Sequence, residues 1–313
     1  MIDILEVAAQ VGLQYGPFVV ALYLVFVIMS LPDLTVEGSF ALGAAASASV
    51  VFQGRNPLLA LLIAFALGAA AGLVTGLLHT RLRINALLAG ILTTTAAWSV
   101  SLIVMGRGNI GLRGKVTLFE WIEDWLGIGS QWAAIWVGLA ASVATAAALV
   151  WFLRTEFGLS LRATGRSIQT ARGLGVRTER YQVVGLMLAN GLAGLSGGLV
   201  AQNQGFNDVQ SGVGVIVVGL AALALGSAMI RSTRLVPSLL GALLGIYLYR
   251  AIVAWTLRMG LPAGNIRLVT AAVVVVAIIA RMQARGVFAT EGRGRMKRQR
   301  IDYLENDRVS PIL

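Results

Sequence analysis

Cysteine is absent from this 313-residue chain and histidine occurs once, at His79. Disulfides, thiolate nucleophiles and Cys-based metal sites are excluded together, and a lone His cannot build a zinc cluster. Charge is scarce as well: 12% of residues are charged, against about 25% in a soluble domain. The Walker signature G-x-x-x-x-G-K-[ST], whose backbone amides cradle phosphate, is missing. The segment nearest to it, Asn109 to Val116, lacks the first glycine and the terminal Ser or Thr, so the chain is not expected to hydrolyse ATP. A basic N-terminal region is lacking too. Met1 to Glu6 is acidic and the first basic residue is Arg55, so the first apolar stretch is expected to stay in the protein rather than be cleaved as a signal peptide.

What the chain has is hydrophobic length. Apolar residues make up 57% of it and the mean hydropathy is +0.80, which places it in a bilayer. The net charge of +11 comes from 25 basic residues, nearly all Arg and most at the ends of apolar runs. That placement marks membrane orientation and not nucleic-acid binding. A helix needs about 20 apolar residues to cross the hydrocarbon core. The runs predict nine spans, within a range of eight to ten: 11–31, 35–53, 57–79, 85–105, 131–153, 180–201, 212–230, 236–257 and 265–282. The expected fold is an all-α polytopic membrane helix bundle. Residues 1–285 form the membrane domain and 286–313 a polar cytosolic tail.

Arginine then orients the chain, because short cytoplasmic loops carry the Lys and Arg of a membrane protein. Arg81 and Arg83, the 154–180 segment with six Arg against two Glu, Arg231 and Arg234, and the tail after Arg281 fall on one side. The 202–211 loop, with no basic residue, falls on the other. The N-terminus is therefore expected outside and the C-terminus inside. Arg250 and Arg258 sit toward the outer end of the eighth span, and snorkelling to the interface is the plain explanation for them.

Within the spans, glycines recur four apart at Gly68, Gly72 and Gly76, at Gly194 and Gly198, and at Gly241 and Gly245. Small residues one turn apart let helix backbones approach closely. In the outer loop, Leu118, Trp121, Ile122, Trp125 and Leu126 share one face, which predicts an amphipathic helix lying in the interface.

Polar groups at membrane depth are the candidates for function. Asp33 and Glu37 lie in Leu31-Pro-Asp-Leu-Thr-Val-Glu-Gly38, a proline-broken or re-entrant segment between two apolar runs. Either they line a transport path or gate, or Asp33 or Thr35 caps the helix after Pro32 with Glu37 in its first turn. Thr94 in the Thr93–Thr95 run, Trp98 and Asn190 complete the candidate path.

The stretches Gly158-Leu-Ser-Leu-Arg-Ala-Thr-Gly165, Thr170-Ala-Arg-Gly-Leu-Gly-Val176 and Ala193-Gly-Leu-Ser-Gly-Gly-Leu199 resemble the coupling loop and following helix of the permease subunits of bacterial ABC importers. The branch resembled includes the branched-chain amino acid and ribose permeases. Leu31 to Gly43 is similar to the opening motif of a less studied branch associated with predicted amino-acid uptake. The likeness covers about residues 10 to 285. It implies a vitamin-B12-importer-like permease fold and a dimer, homodimeric or heterodimeric. It also implies cytosolic ABC ATPase subunits that bind the ATP and Mg, and an extracytoplasmic solute-binding protein that delivers the solute. This chain itself would carry no cofactor and would be a multi-pass protein of the bacterial inner membrane.

Under that resemblance the 154–180 segment is a coupling element. A short helix from Arg166 to Leu174, flanked by Gly165 and Gly173, would sit in a cleft of the ATPase and follow its closure. Arg162, Gly165, Arg166, Thr170, Ala171, Arg172, Gly173, Leu174 and Gly175 are its candidate coupling residues. The solute is expected to be an amino acid, with a nucleoside or vitamin-like heterocycle behind it. Two other classes stay open: a secondary transporter with its site at Pro32–Gly38, and a membrane-anchored assembly protein with no path at all.

Overall fold

In the computed structural model, residues 2–232, 234–259, 271–273 and 275 are described. Eight helices among them are long and apolar enough to cross a membrane. The ninth expected span, 265–282, and the tail from 286 lie outside the described residues. The chain is an all-α polytopic bundle whose strands, among the described residues, are two three-residue pieces.

The first span runs over Glu6–Ile28, earlier than the apolar run at 11–31 suggested, because α1 (Ile2–Gly12) begins in the acidic N-terminal residues. It is not a regular helix. A 3₁₀ turn at Leu13–Tyr15 leads into α2 (Gly16–Leu22), and a π-helical turn follows at Tyr23–Ile28. Ser30 then takes a left-handed φ of 53°, which no helix continues through, and the chain is unwound to Leu34.

The second span, α3 (Thr35–Phe52), is 78% buried. It packs between α4 (Pro57–Thr80) and α10 (Thr178–Gln204). Glycine makes this possible: a Cβ on Gly43 would strike the Gly194 backbone, and one on Gly68 the Asn190 carbonyl. The same device joins α11 (Val215–Met229) to α12 (Leu235–Arg258), where a Cβ on Gly226 would meet the Gly241 carbonyl. Close backbone approach replaces the hydrophobic drive that lipid cannot supply. Between these groups, α5 (Ala86–Met105) flanks α3, and α7 (Ser130–Arg154) flanks the first span.

On the side opposite the 154–180 segment, β1 (Asn109–Gly111) pairs antiparallel with β2 (Phe206–Asp208), Asn109 opposite Asp208. The amphipathic helix forms as α6 (Leu118–Leu126), started by a Thr117/Glu120 capping box. Its bundle-facing residues are Leu118, Phe119 and Ile122, whereas Trp121 and Trp125 are exposed.

Arg250 departs from the snorkelling expectation. Its Cβ and Cγ pass Gly12, and its guanidinium lies 4.0 Å over the Tyr15 ring. Tyr15 is one 3₁₀ turn farther from the membrane end at which α1 enters and α12 leaves. The side chain therefore points into the bundle, in keeping with the tilt of a helical Cβ toward the helix N-terminus. Arg258, the last residue of α12, is exposed.

Candidate functional site

The unwound Met29–Leu34 segment comes to lie against α10 and α4 inside the bundle. Asp33 is 1% exposed there. Its Oδ1 accepts from the Thr35 amide at 2.8 Å and its Oδ2 from Asn190 Nδ2 at 2.9 Å. Asn190, with no exposed surface, also donates to Leu186 O at 3.0 Å and accepts from Ser39 Oγ at 2.7 Å. Thr35 Oγ1 and Thr75 Oγ1 share a 2.7 Å hydrogen bond. From the other side Thr94 Oγ1 donates to Leu34 O at 2.9 Å. Four of the six candidate path residues (Asp33, Thr35, Asn190 and Thr94) join directly in this network. By count, Asn190 lies about 18 Å along α10 from its start, so the network sits near mid-membrane.

Glu37 acts elsewhere. It stands in the first turn of α3, yet its Oε1 accepts from the Gly214 amide at 3.1 Å, just before α11. The Val209–Gly212 turn descends along α3 to reach this point, and a Cβ on Gly212 would meet Ala41 Cβ at 2.7 Å. The 205–214 loop is therefore re-entrant, and α11 starts inside the bundle with a carboxylate at its N-terminus. Trp98 does not join either group. Its Nε1 is buried with no hydrogen-bond partner.

Sequence reasoning missed Ser39 and Thr75. Both are single hydroxyl residues inside apolar runs, and that was the available signal. It also missed a second buried polar line, in which Gln202 Nε2 donates to Ser47 Oγ at 2.9 Å and to Pro57 O at 3.1 Å, while Gln202 Oε1 accepts from the Leu118 amide at 2.9 Å. Gln202 ties the outer ends of α3, α4, α6 and α10 together.

The 154–180 segment holds two helices, the second close to the short helix expected at Arg166–Leu174. α8 (Glu156–Arg166) ends where Ser167 turns extended, at φ −159°, and α9 (Ile168–Gly173) begins with Ser167 Oγ accepting from the Thr170 amide. Gly165 is not a free hinge: a Cβ there would strike Ile28 O and lie 2.9 Å from Met29 Cα. Arg162, half-buried, acts electrostatically on Tyr23 of the first span. Ala171 is 1% exposed and so packs inside this chain, which corrects its expected place on an outward contact surface. Arg172 Nε donates to Thr178 Oγ1 at 3.0 Å and its guanidinium stands 3.9 Å from Glu179. Arg166, Thr170, Gly173 and Gly175 are exposed, and Gly175 takes a left-handed φ of 81°. Leu174, at 76% exposed, projects an apolar side chain from this tip.

Comparison with known proteins adds to this geometry. A family model described as branched-chain amino acid transport system / permease component matches residues 4–280. A tyrosine transport system permease protein of Clostridioides difficile is 31% identical over 275 residues, 88% of this chain and 90% of that protein. An uncharacterized protein of Rickettsia prowazekii is 31% identical over 282 residues, 88% of this chain and 97% of its own length. An autoinducer 2 import system permease protein of Escherichia coli is 33% identical over 189 residues, 56% of this chain and 55% of that protein. No solved structure matches.

Proposed function

This chain belongs to the branched-chain amino acid transport permease family, and from that premise we propose that it carries an amino acid inward as the membrane subunit of an ATP-driven importer. It is a multi-pass inner-membrane protein and a transport subunit. The observation that carries the amino-acid reading is its end-to-end likeness to a tyrosine transport permease. An extracytoplasmic binding protein delivers the solute to the outer face, and ATP is hydrolysed with Mg on separate cytosolic subunits. Two copies of the permease form the working unit.

In this reading the 154–180 segment meets the ATPase. The exposed tip at Thr170, Gly173 and Leu174 makes the contact, and Gly165 and Arg162 pass the motion to the first span. The unwound Met29–Leu34 segment is the receiving end, because α8 presses on Ile28 and Met29, four residues before Asp33. Asp33, Thr35, Asn190 and Thr94 hold that segment in its present position, and Glu37 holds the outer loop.

Co-purification tests the reading. The permease, expressed with its neighbouring genes, brings down a soluble ATPase in stoichiometric amount and supports ATP-dependent uptake of L-tyrosine or another amino acid. A secondary transporter built on the broken segment would carry solute without any ATPase, and that outcome would replace the proposal. Orientation has its own test in this Cys-free chain. Single Cys substitutions at Gln204 and Gly114 react with an impermeant reagent in intact cells, whereas one at Gln169 does not.

A further inference from the structure

We infer that Arg250 binds the carboxylate of the transported solute inside the bundle, an assignment that rests on the amino-acid reading above. By count Arg250 lies eight residues before the end of α12, about 12 Å into the membrane. A cation at that depth is costly and marks a substrate or ion path by default. Three observations separate it from an arginine that merely reaches for the surface. Its side chain points away from the nearer membrane end, past Gly12 toward Tyr15. No carboxylate pairs with it: among the described residues the one ion pair joins Arg172 to Glu179. Its Nε is buried and has no hydrogen-bond acceptor.

The surroundings are aromatic. The guanidinium stacks at 4.0 Å on Tyr15 and stands 6.0 Å from the Tyr249 ring. Tyr15 in turn stacks on Phe40 of α3 at 5.7 Å, and Phe18 meets Phe40 edge-on at 5.4 Å. Ring faces hold a cation in place but accept no N–H along its plane, so the buried Nε is left for an anion. Guanidinium geometry matches a carboxylate with two parallel hydrogen bonds. The 3₁₀ turn at Leu13–Tyr15 lets this happen, since Gly12 and Tyr15 share the face turned to α12 and Gly12 leaves room for the arginine stem. An α-amino acid carries the required carboxylate; its decarboxylated amine does not.

The test uses the permease reconstituted in liposomes with its ATPase and binding protein, and radiolabelled L-tyrosine within a panel of L-amino acids. Arg250→Gln lowers amino-acid uptake per ATP hydrolysed by at least about ten-fold, the scale of a lost charge-assisted hydrogen bond. Arg250→Lys keeps the charge without the fork and falls between the two. Stimulation of ATP hydrolysis by the binding protein is unchanged in both. Wild-type uptake by Arg250→Gln overturns the assignment and leaves the importer reading standing. Loss of stimulated hydrolysis in parallel with uptake, or failure of both variants to assemble, also overturns it, by making Arg250 a packing residue. A wild-type complex that carries no amino acid in the panel removes the amino-acid reading and the assignment together.

Discussion

Two interruptions of helix meet on the first turns of α3, and they are held in different ways. The inner one, Met29–Leu34, is fastened by side chains from three helices: Asn190 on Asp33, Thr75 on Thr35 and Thr94 on the Leu34 carbonyl. The other, ahead of α11, is held at its deepest point by Glu37 on the Gly214 amide and the Ile216 backbone, with short strand pairing above it. A buried network in which each member satisfies the next resists piecemeal opening, whereas contacts that all hang on one carboxylate are lost together when that side chain moves. The contrast makes the Met29–Leu34 break the firmly held one and the 205–214 loop the one that yields first.

The largest effect should come from the inner network. Asn190→Ala strands the Asp33 carboxylate and Ser39 in the core, and is expected to cost about 3 kcal/mol or more, read as a drop in the denaturation midpoint of the purified protein and in membrane yield. A variant as stable as wild type would erase the contrast. Next comes the link to the coupling segment: Gly165→Val drives a side chain into Ile28 and Met29, at about 1–3 kcal/mol, and uptake should fall while the ATPase stays bound. If uptake is unaffected, α8 does not act through the first span. Glu37→Ala should cost only about 1 kcal/mol, yet a Cys placed at Gln210 should then label faster with an impermeant reagent, because the loop has lost its latch. Equal labelling would mean the outer loop is held by its strands alone. The smallest change in stability, within about 0.5 kcal/mol, is expected for Leu174→Glu at the exposed tip. Its effect should appear in the pull-down, as loss of the ATPase.

The contrast between the two breaks was only half legible in the sequence. Pro32 and the carboxylates around it announced the inner break, because proline and charge stand out against an apolar run. The outer one left no such mark: Gln202 to Ser211 is polar and reads as a surface loop, and nothing local says that Val209–Gly212 descends along α3 to Glu37. Glu37 was expected either to line a path or to sit in the first turn of its own helix, and only the tertiary fold brings Gly214 within its reach. The same limit explains Ala171. Its neighbours Arg172 and Gly173 suggested an exposed turn, but burial is decided by packing that a six-residue helix does not encode. Arg250 was assigned its depth correctly and its direction wrongly. Periodicity fixes where a Cα lies, whereas the path of a long side chain depends on an absent Cβ at Gly12 in another helix.

The glycine contacts have a kinematic consequence. Backbones that touch cannot slide by fractions of a turn, because each interlocked pair has one seating and no soft layer of side chains between. The α3, α4 and α10 group therefore behaves as a stator, and α11 with α12 as a second rigid leaf. The first span lies between them and contains the only 3₁₀ and π turns of any described membrane span outside the re-entrant loop. A machine made this way has its compliance concentrated in one axle. Spin-label distances within the stator or within the leaf should stay constant through the ATP cycle, and those that cross the axle should carry the whole stroke.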